Sequence, residues 1–183
     1  TGIVQQSDGK VIVIGNSGED AILARYDTGI SITSTSFTFK SVGANDGWIL
    51  EFLENSNKGG TLDKTSNVIY VGDDAKDRQY RGILSFDTTS IPDNAVITSA
   101  QVKVKRQSFV GTNPIKTHGT LLLEIRNGTF NNDLALTVED FSAIAYTGPT
   151  QDQFSGADAN WIHTATLSNV NLGLIDKVGV TQF

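Results

Sequence analysis

Three aspartates stand close together in the sequence, at Asp73, Asp74 and Asp77. Calcium takes about six to eight oxygen ligands, and closely spaced carboxylates on a loop can supply several of them. The spacing does not match the known calcium loops between two helices, and no glutamate completes the pattern. Arg78 and Arg81 stand next to the carboxylates and could neutralise them. The pattern therefore allows two interpretations, a Ca²⁺ site or solvated turn carboxylates that pair with arginine.

Two aromatic residues at loop edges, Tyr146 and Trp161, are candidates for contact with a sugar. An aromatic ring offers a flat apolar face, and Tyr and Trp add a polar atom at the rim. Trp161 could equally close one end of a core, because tryptophan is usually well buried. Trp48, Tyr70 and Tyr80 lie in or beside predicted strands, so we expect them in the core or on a sheet face.

Residues that could perform catalysis are sparse and scattered. The chain has no cysteine and only two histidines, His118 and His163, without metal-ligand spacing. His163 alternates with apolar and polar neighbours and is predicted on the polar face of a strand. Glu51 and Glu54 could form an acid–base pair, but carboxylates on a strand and its following loop are usually just solvated. The sequence therefore predicts a protein that is not an enzyme.

Charge and composition exclude several classes of partner. The 183 residues carry 14 Lys and Arg against 20 Asp and Glu, a net charge of −6. Such an acidic chain is a poor candidate for binding nucleic acid or an anionic membrane. No apolar run approaches the roughly 20 residues of a membrane span, which predicts no membrane insertion.

The region from residue 41 to residue 183 has the strand and turn pattern of an antiparallel β-sandwich, here of jelly-roll type. The predicted strands are Trp48–Leu53, Val68–Val71, Arg81–Asp87, Ile97–Arg106, Leu121–Arg126 and Trp161–Leu167. Two short helices interrupt them. One begins with a capping-box-like pattern at Thr137–Asp140, and the other is predicted to be capped by Asn169.

Residues 1–40 are predicted to be an N-terminal strand-forming arm. Lys10–Gly15 and Ala21–Tyr26 are apolar runs with turn residues between them, typical of a β-hairpin. Ile30–Lys40 follows as the most strand-like polar stretch of the chain. Its apolar residues alternate with polar ones in two pairs, at Ile30 and Ile32 and at Phe37 and Phe39.

The hairpin resembles one delta-sixty repeat, a unit found in tandem in large bacterial surface proteins. The resemblance is carried by Gln5, Asp8, Gly9, Lys10, Gly15, Ala24, Arg25 and Tyr26. Repeats of this kind need roughly three or more copies to be stable. The segment could therefore be the last repeat of a longer array or a repeat reused as an arm.

The chain from residue 46 onward resembles the DNRLRE-type domains of secreted bacterial proteins, which are related to non-catalytic carbohydrate-binding modules. The most specific match is the arginine-bearing run Asp77–Asp87, followed by the Ser-Ile-Pro turn and strand entry at Ser90–Ala100. The resemblance implies a β-sandwich in an extracellular or cell-surface protein, with a polysaccharide as partner and an adhesive role.

The end of the printed sequence differs from that pattern. Modules of this type continue past a segment like Thr181–Phe183 into strands that close the sandwich, so we expect the closing strands to be missing here. The arm could fill the gap within one molecule, or Ile30–Phe39 could insert as an assembly strand into the next copy. The chain could also be a fragment. Exchange would make it a structural subunit of a filament whose partners are copies of itself.

Overall fold

The structure is a computed structural model that describes residues 2–5, 11–17, 20–26, 33–145 and 151–183. The chain divides into two compact units, Thr1–Thr38 and Phe39–Phe183. Most of the secondary structure is strand in antiparallel sheets, and only 11% of the chain is helical. The predicted all-β class is therefore confirmed.

The N-terminal unit contains a three-stranded antiparallel sheet. Its strands are β1 (Gly2–Gln5), β2 (Val11–Ser17) and β3 (Asp20–Tyr26), with β2 in the middle. β2 and β3 pair in register along their full lengths, so the predicted hairpin is confirmed. β1 was not predicted, because a strand of four residues is too short for its alternation to be recognised.

The strand predicted at Ile30–Lys40 is not present in the described part of that segment. Residues 33–40 have no regular secondary structure in the single chain, whereas Ile30 and Ile32 lie outside the described residues. Phe37 is exposed and Phe39 is half-buried. The role of this segment as an assembly strand stays a prediction.

The larger unit is built from short strands. They are β4 (Gly47–Glu51), β5 (Gly59–Asp63), β6 (Gly72–Asp73), β7 (Gln79–Ile83), β8 (Ser85–Asp87), β9 (Gln101–Lys105), β10 (Leu122–Leu123), β11 (Arg126–Asn127), β12 (Asp152–Gln153), β13 (Ile162–Thr166) and β14 (Val180–Gln182).

These strands pair antiparallel in four groups. The groups have the orders β5–β4–β7–β6, β11–β14–β8, β13–β9 and β10–β12. A single bridge between Phe154 and Ala165 continues β12 alongside β13, so the last two groups lie side by side. Leu84 separates β7 from β8 and exchanges two backbone hydrogen bonds of 2.9 Å with Phe183, which extends the β8–β14 pairing.

Two apolar clusters form the core of this unit. The first joins β4 and β7 to the segments that follow β11: Ile49, Ile83, Phe130, Leu136, Phe141 and Ala145. The second lies along β9, β10 and β13: Val102, Leu123, Ile125, Phe154, Ala165, Leu167 and Leu172. On β9 the buried Val102 alternates with exposed Lys103 and Lys105, so one face of this strand is exposed to solvent.

The helical segments are short. They are α1 (Pro114–Thr117), α2 (Asn169–Leu172) and two 3₁₀ turns at Phe130–Asn132 and Val138–Ser142.

A helical segment begins at or next to each of the two predicted starts. Thr137 is the N-cap of the 3₁₀ turn, and its N–H donates to the Asp140 carboxylate at 2.8 Å. The sequence predicts Asn169 as the cap of α2, but the cap is Ser168, one residue earlier. The Ser168 hydroxyl accepts from the N–H of Asn171 at 3.4 Å, while Asp152 holds the N–H of Ser168 at 3.0 Å.

The strand predicted at Val68–Val71 is wrong. This segment crosses the outer face of β7 without strand geometry, and a side chain on Gly82 would collide with Ile69. The single strand predicted at Arg81–Asp87 is two strands that belong to different sheets, because Leu84 turns to pair with Phe183. Alternation in the sequence cannot reveal such a change of partner.

The middle strand β14 carries polar side chains into the interior. Thr181 is fully buried, and Gln182 is 2% exposed. The Gln182 amide accepts from the Phe130 N–H at 2.6 Å and donates to the Ser85 hydroxyl at 2.9 Å. Thr181 shares a 3.0 Å hydrogen bond with Thr88. These contacts connect β14 to β8 and to the 3₁₀ turn after β11.

We expect Gln182→Ala to lower the free energy of unfolding by about 2–4 kcal/mol, because it removes a buried partner of Phe130 and leaves a cavity. Urea denaturation monitored by fluorescence measures this change. The control Gln153→Ala removes the same side chain from an exposed position in β12 and should change stability by less than about 0.5 kcal/mol. Equal losses in the two variants would show that the buried amide is not a main contact.

Candidate functional site

The end of the β9–β13 pair places Arg106 beside Trp161. The two strands pair from Gln101 opposite Thr166 to Lys105 opposite Ile162. The next step of the ladder is a 2.8 Å hydrogen bond from the Arg106 N–H to the Trp161 carbonyl. The register of this strand pair therefore fixes which arginine meets which tryptophan.

The loop before β13 holds Trp161 in an unusual backbone conformation. Its φ is +65°, a left-handed value that is strained for a bulky residue. The Asp158 carboxylate accepts from the N–H groups of Asn160 at 2.7 Å and Ile162 at 3.0 Å. The Trp161 N–H donates to the Asp158 carbonyl at 3.0 Å. These bonds on both sides of Trp161 stabilise a conformation that the residue alone would avoid.

Three side chains at this place form what we call the Trp161 platform: Trp161, Arg106 and Phe109. The guanidinium carbon of Arg106 lies 4.7 Å from the centroid of the Trp161 ring and 4.3 Å from that of Phe109. Cation–π contacts of this kind fix a ring against an arginine. Trp161 nevertheless remains 49% exposed. The platform presents a large, oriented aromatic surface to solvent.

The sequence singles out four further aromatic residues. Tyr146 is outside the described residues. Trp48, Tyr70 and Tyr80 form a second aromatic cluster on the outer face of β4 and β7, with ring centroids 5.2–5.6 Å apart. They are sheet-face residues, as the sequence predicts, although Tyr70 is not in a strand.

A polar cleft of about 550 Å³ brings two of the three predicted calcium ligands together. Asp73 and Asp77 both line it, and Asp74 does not. The full lining is Glu51, Glu54, Asn55, Asn57, Asp73, Asp77, Gln79 and His118. His118 reaches the Asp73 carboxylate, with 3.4 Å between Nε2 and Oδ2.

Glu51 organises one wall of this cleft. Its carboxylate is 6% exposed and accepts from the Asn57 N–H at 2.8 Å and the Gln79 N–H at 3.4 Å. Burial alone would raise the pKa of Glu51, but these backbone donors outweigh it and lower the pKa below its ordinary value. A general acid needs a proton at neutral pH, so Glu51 is not suited to the acid role in a pair with Glu54.

Asp74 forms a salt bridge with Arg78 and does not line the cleft. Its Oδ2 accepts from Nη2 of Arg78 at 2.6 Å and from Nε at 2.9 Å, a two-pronged contact. These side-chain bonds, with backbone N–H groups of Arg78 and Lys76, lower the pKa of Asp74 to about 2. Among the residues that the structure describes, no three His, Asp or Glu side chains are grouped so that they could hold a metal ion.

The two histidines differ in their exposure to solvent. His118 is exposed at the cleft. His163 is only 5% exposed, and its Nδ1 lies 2.9 Å from the Ser155 carbonyl. The predicted place of His163 on a polar strand face is therefore wrong. It shares the buried face of β13 with Ala165, where a carbonyl satisfies the ring nitrogen.

Arg106 and Phe109 were not among the residues that the sequence predicts for a site. Arg106 follows the alternating run Val102–Lys105. In that alternation it falls on the same side of the strand as Val102 and Val104, which faces inward. A charged residue at an inward-facing position was the available signal, because such a group needs a partner. Phe109, three residues further on, gave no comparable signal.

No family model matches the chain, and neither does any curated protein or solved structure. Within the described ranges, no helix is both long enough and apolar enough to cross a membrane.

The Asp74–Arg78 contact should make stability depend on pH in a defined direction. A carboxylate whose pKa is lowered by folding stabilises the folded state above its ordinary pKa, and this contribution is lost as the pH falls toward about 2. We expect Asp74→Asn to melt at a lower temperature than the parent at pH 7, with the difference shrinking below about pH 4.

Asp77→Asn is the matched control for this thermal denaturation series. Asp77 lies in the same turn and makes no side-chain hydrogen bond with the described residues, and its φ of +57° suits asparagine. If both variants lose stability equally at pH 7, the Arg78 contact is not the source.

Proposed function

We propose that this chain is a non-catalytic, polysaccharide-binding module of a bacterial cell-surface or secreted protein, with an adhesive role outside the cell. The observation that carries the proposal is the Trp161 platform. A half-exposed indole held by Arg106 and by a hydrogen-bonded loop is a preorganised surface for a sugar ring. Preorganisation lowers the entropy that binding must overcome.

The arrangement of the two core clusters supports a jelly-roll β-sandwich as the fold of this module. One cluster is built on β4 and β7 and the other on β9, β10 and β13. Sheets that each bury one face need a second layer over that face. The resemblance of Asp77–Ala100 to DNRLRE-type domains points to the same architecture and to the extracellular setting.

We expect Trp161→Ala to weaken polysaccharide binding by about tenfold or more, because it removes the stacking surface. A panel of soluble cellulose derivative, xylan, galactomannan, chitin oligosaccharides and polygalacturonate is suitable for affinity electrophoresis and calorimetry. Phe52→Ala is the matched control, since Phe52 is 57% exposed outside the platform. Binding that survives Trp161→Ala would contradict the assigned surface, and absence of binding to any glycan would contradict the function.

A second candidate function is a structural subunit of an extracellular filament. The observation that favours it is the strand-like segment at residues 30–40, whose described part forms no strand in its own chain. In the described part of the larger unit, β9 pairs only with β13 and so has an open edge. A strand donated from another copy would complete such an edge and produce a head-to-tail assembly.

Removal of residues 1–40 should then abolish assembly, as seen by light scattering and negative-stain microscopy. In the full chain, Ile32→Asp should also reduce assembly, because a charge would enter a core pocket of the neighbouring copy. Ser31→Asp is the control, since the adjacent residue of a strand faces the other side. Unchanged oligomeric state and melting temperature after the deletion would exclude strand donation.

A further inference from the structure

Arg106 differs from the other arginines whose side chains the structure describes. Arg78 donates to the Asp74 carboxylate at 2.6 Å, and Arg126 donates to the Ile144 carbonyl at 2.7 Å. Arg81 donates to Gln79 at 2.8 Å and also to the Phe141 carbonyl. Among the described residues, the guanidinium of Arg106 donates to no oxygen, and none of their carboxylates lies within ion-pair distance of it.

This lack of an acceptor is not a result of ring stacking. Arg81 also lies over a ring, with 4.4 Å between its guanidinium carbon and the Phe141 centroid, and it still finds two acceptors. Arg106 is half-buried between two rings, and its Nε is buried without a partner. Trp48 Nε1 is likewise buried without a partner, so the feature that sets Arg106 apart is that its whole guanidinium lacks an acceptor among the described residues.

We propose that Arg106 is a ligand-contacting, specificity-determining residue of the Trp161 platform, and this inference rests on the proposed function. Its face fixes the plane of the indole ring, while its N–H groups donate to oxygens of the polysaccharide at the rim of that ring. A guanidinium carries several donors in a fixed planar fork, and sugar chains are rich in hydroxyl and ring oxygens. The Nη groups, which donate to no oxygen among the described residues, are the donors that the ligand satisfies, whereas Nε stays buried.

The unpaired donors of Arg106 also affect which polysaccharides the site would select. A site whose donors are unpaired in the free state discriminates strongly against ligands that lack the matching acceptor. An apolar ring alone discriminates weakly, because every sugar offers an apolar face. Trp161 therefore supplies general affinity, and Arg106 selects chains with an oxygen at the right place beside the stacked ring.

The test is calorimetry with whichever member of the glycan panel binds the full chain, using Arg106→Lys and Arg106→Met. Lysine keeps the charge but loses the planar fork, and methionine loses all donors, so both should weaken binding by about tenfold. Lys105→Met is the matched control, because the neighbouring residue lies on the exposed face of β9 and should change affinity less than about twofold.

Melting temperature separates a role in binding from a role in folding. Arg106→Met should shift it by less than about 3 °C, because the substitution removes unsatisfied donors together with the ring contact. If Arg106→Met lowers the melting temperature but leaves the affinity unchanged, while Trp161→Ala abolishes binding, this inference is wrong and the proposed function stands. If no glycan of the panel binds the full chain, both are wrong.

Discussion

The larger unit depends on a strand whose interior side chains are polar. Thr181 and Gln182 lie in the middle of the β11–β14–β8 sheet, where an apolar pair would be the common choice. Buried polar groups lose least stability when their donors and acceptors are paired, so they favour one arrangement of neighbours. Gln182 meets both Phe130 and Ser85, and Ser85 in turn donates to the Asn45 carbonyl at 3.1 Å. This network fixes how distant parts of the chain align.

The same rule of pairing separates the two polar surfaces of the unit. Glu51 in the cleft and Asp74 in the turn that carries Asp73 and Asp77 already have partners within the protein, and their pKa values are lowered because those partners stabilise the ionised form. Their hydrogen bonds build turns and leave little capacity for a ligand. On the platform, Arg106 has aromatic neighbours but no acceptor among the described residues. This unpaired guanidinium beside an exposed ring is the contrast on which the proposed binding surface rests.

Local patterns were sufficient to predict the β class, the N-terminal hairpin and the start of the 3₁₀ turn at Thr137. Each depends on residues within one short window: alternation, turn residues or a cap. The division of Arg81–Asp87 at Leu84 and the burial of His163 depend on partners far along the chain, Phe183 and the Ser155 carbonyl. Short windows carry no information about such partners.

The candidate site was predictable only in part for the same reason. Trp161 stood out by its residue type and its place at a loop edge. The contact of Arg106 with Trp161 follows from the register of β9 against β13, which pairs residues more than fifty positions apart. The sequence does not distinguish the three aspartates from one another. In the folded turn, however, Asp74 pairs with Arg78, whereas Asp73 and Asp77 line the cleft.

The most direct test of a polysaccharide-binding Trp161 platform is a nuclear magnetic resonance titration of the ¹⁵N-labelled chain with the glycan panel. We expect the largest shift changes at the indole N–H of Trp161, the Nε–H of Arg106 and the backbone of Phe109. The cleft residues Asn57 and Gln79 should remain unchanged. The account would be contradicted if the chemical-shift changes fell on the cleft residues and not on the Trp161 platform, or if no glycan changed any shift.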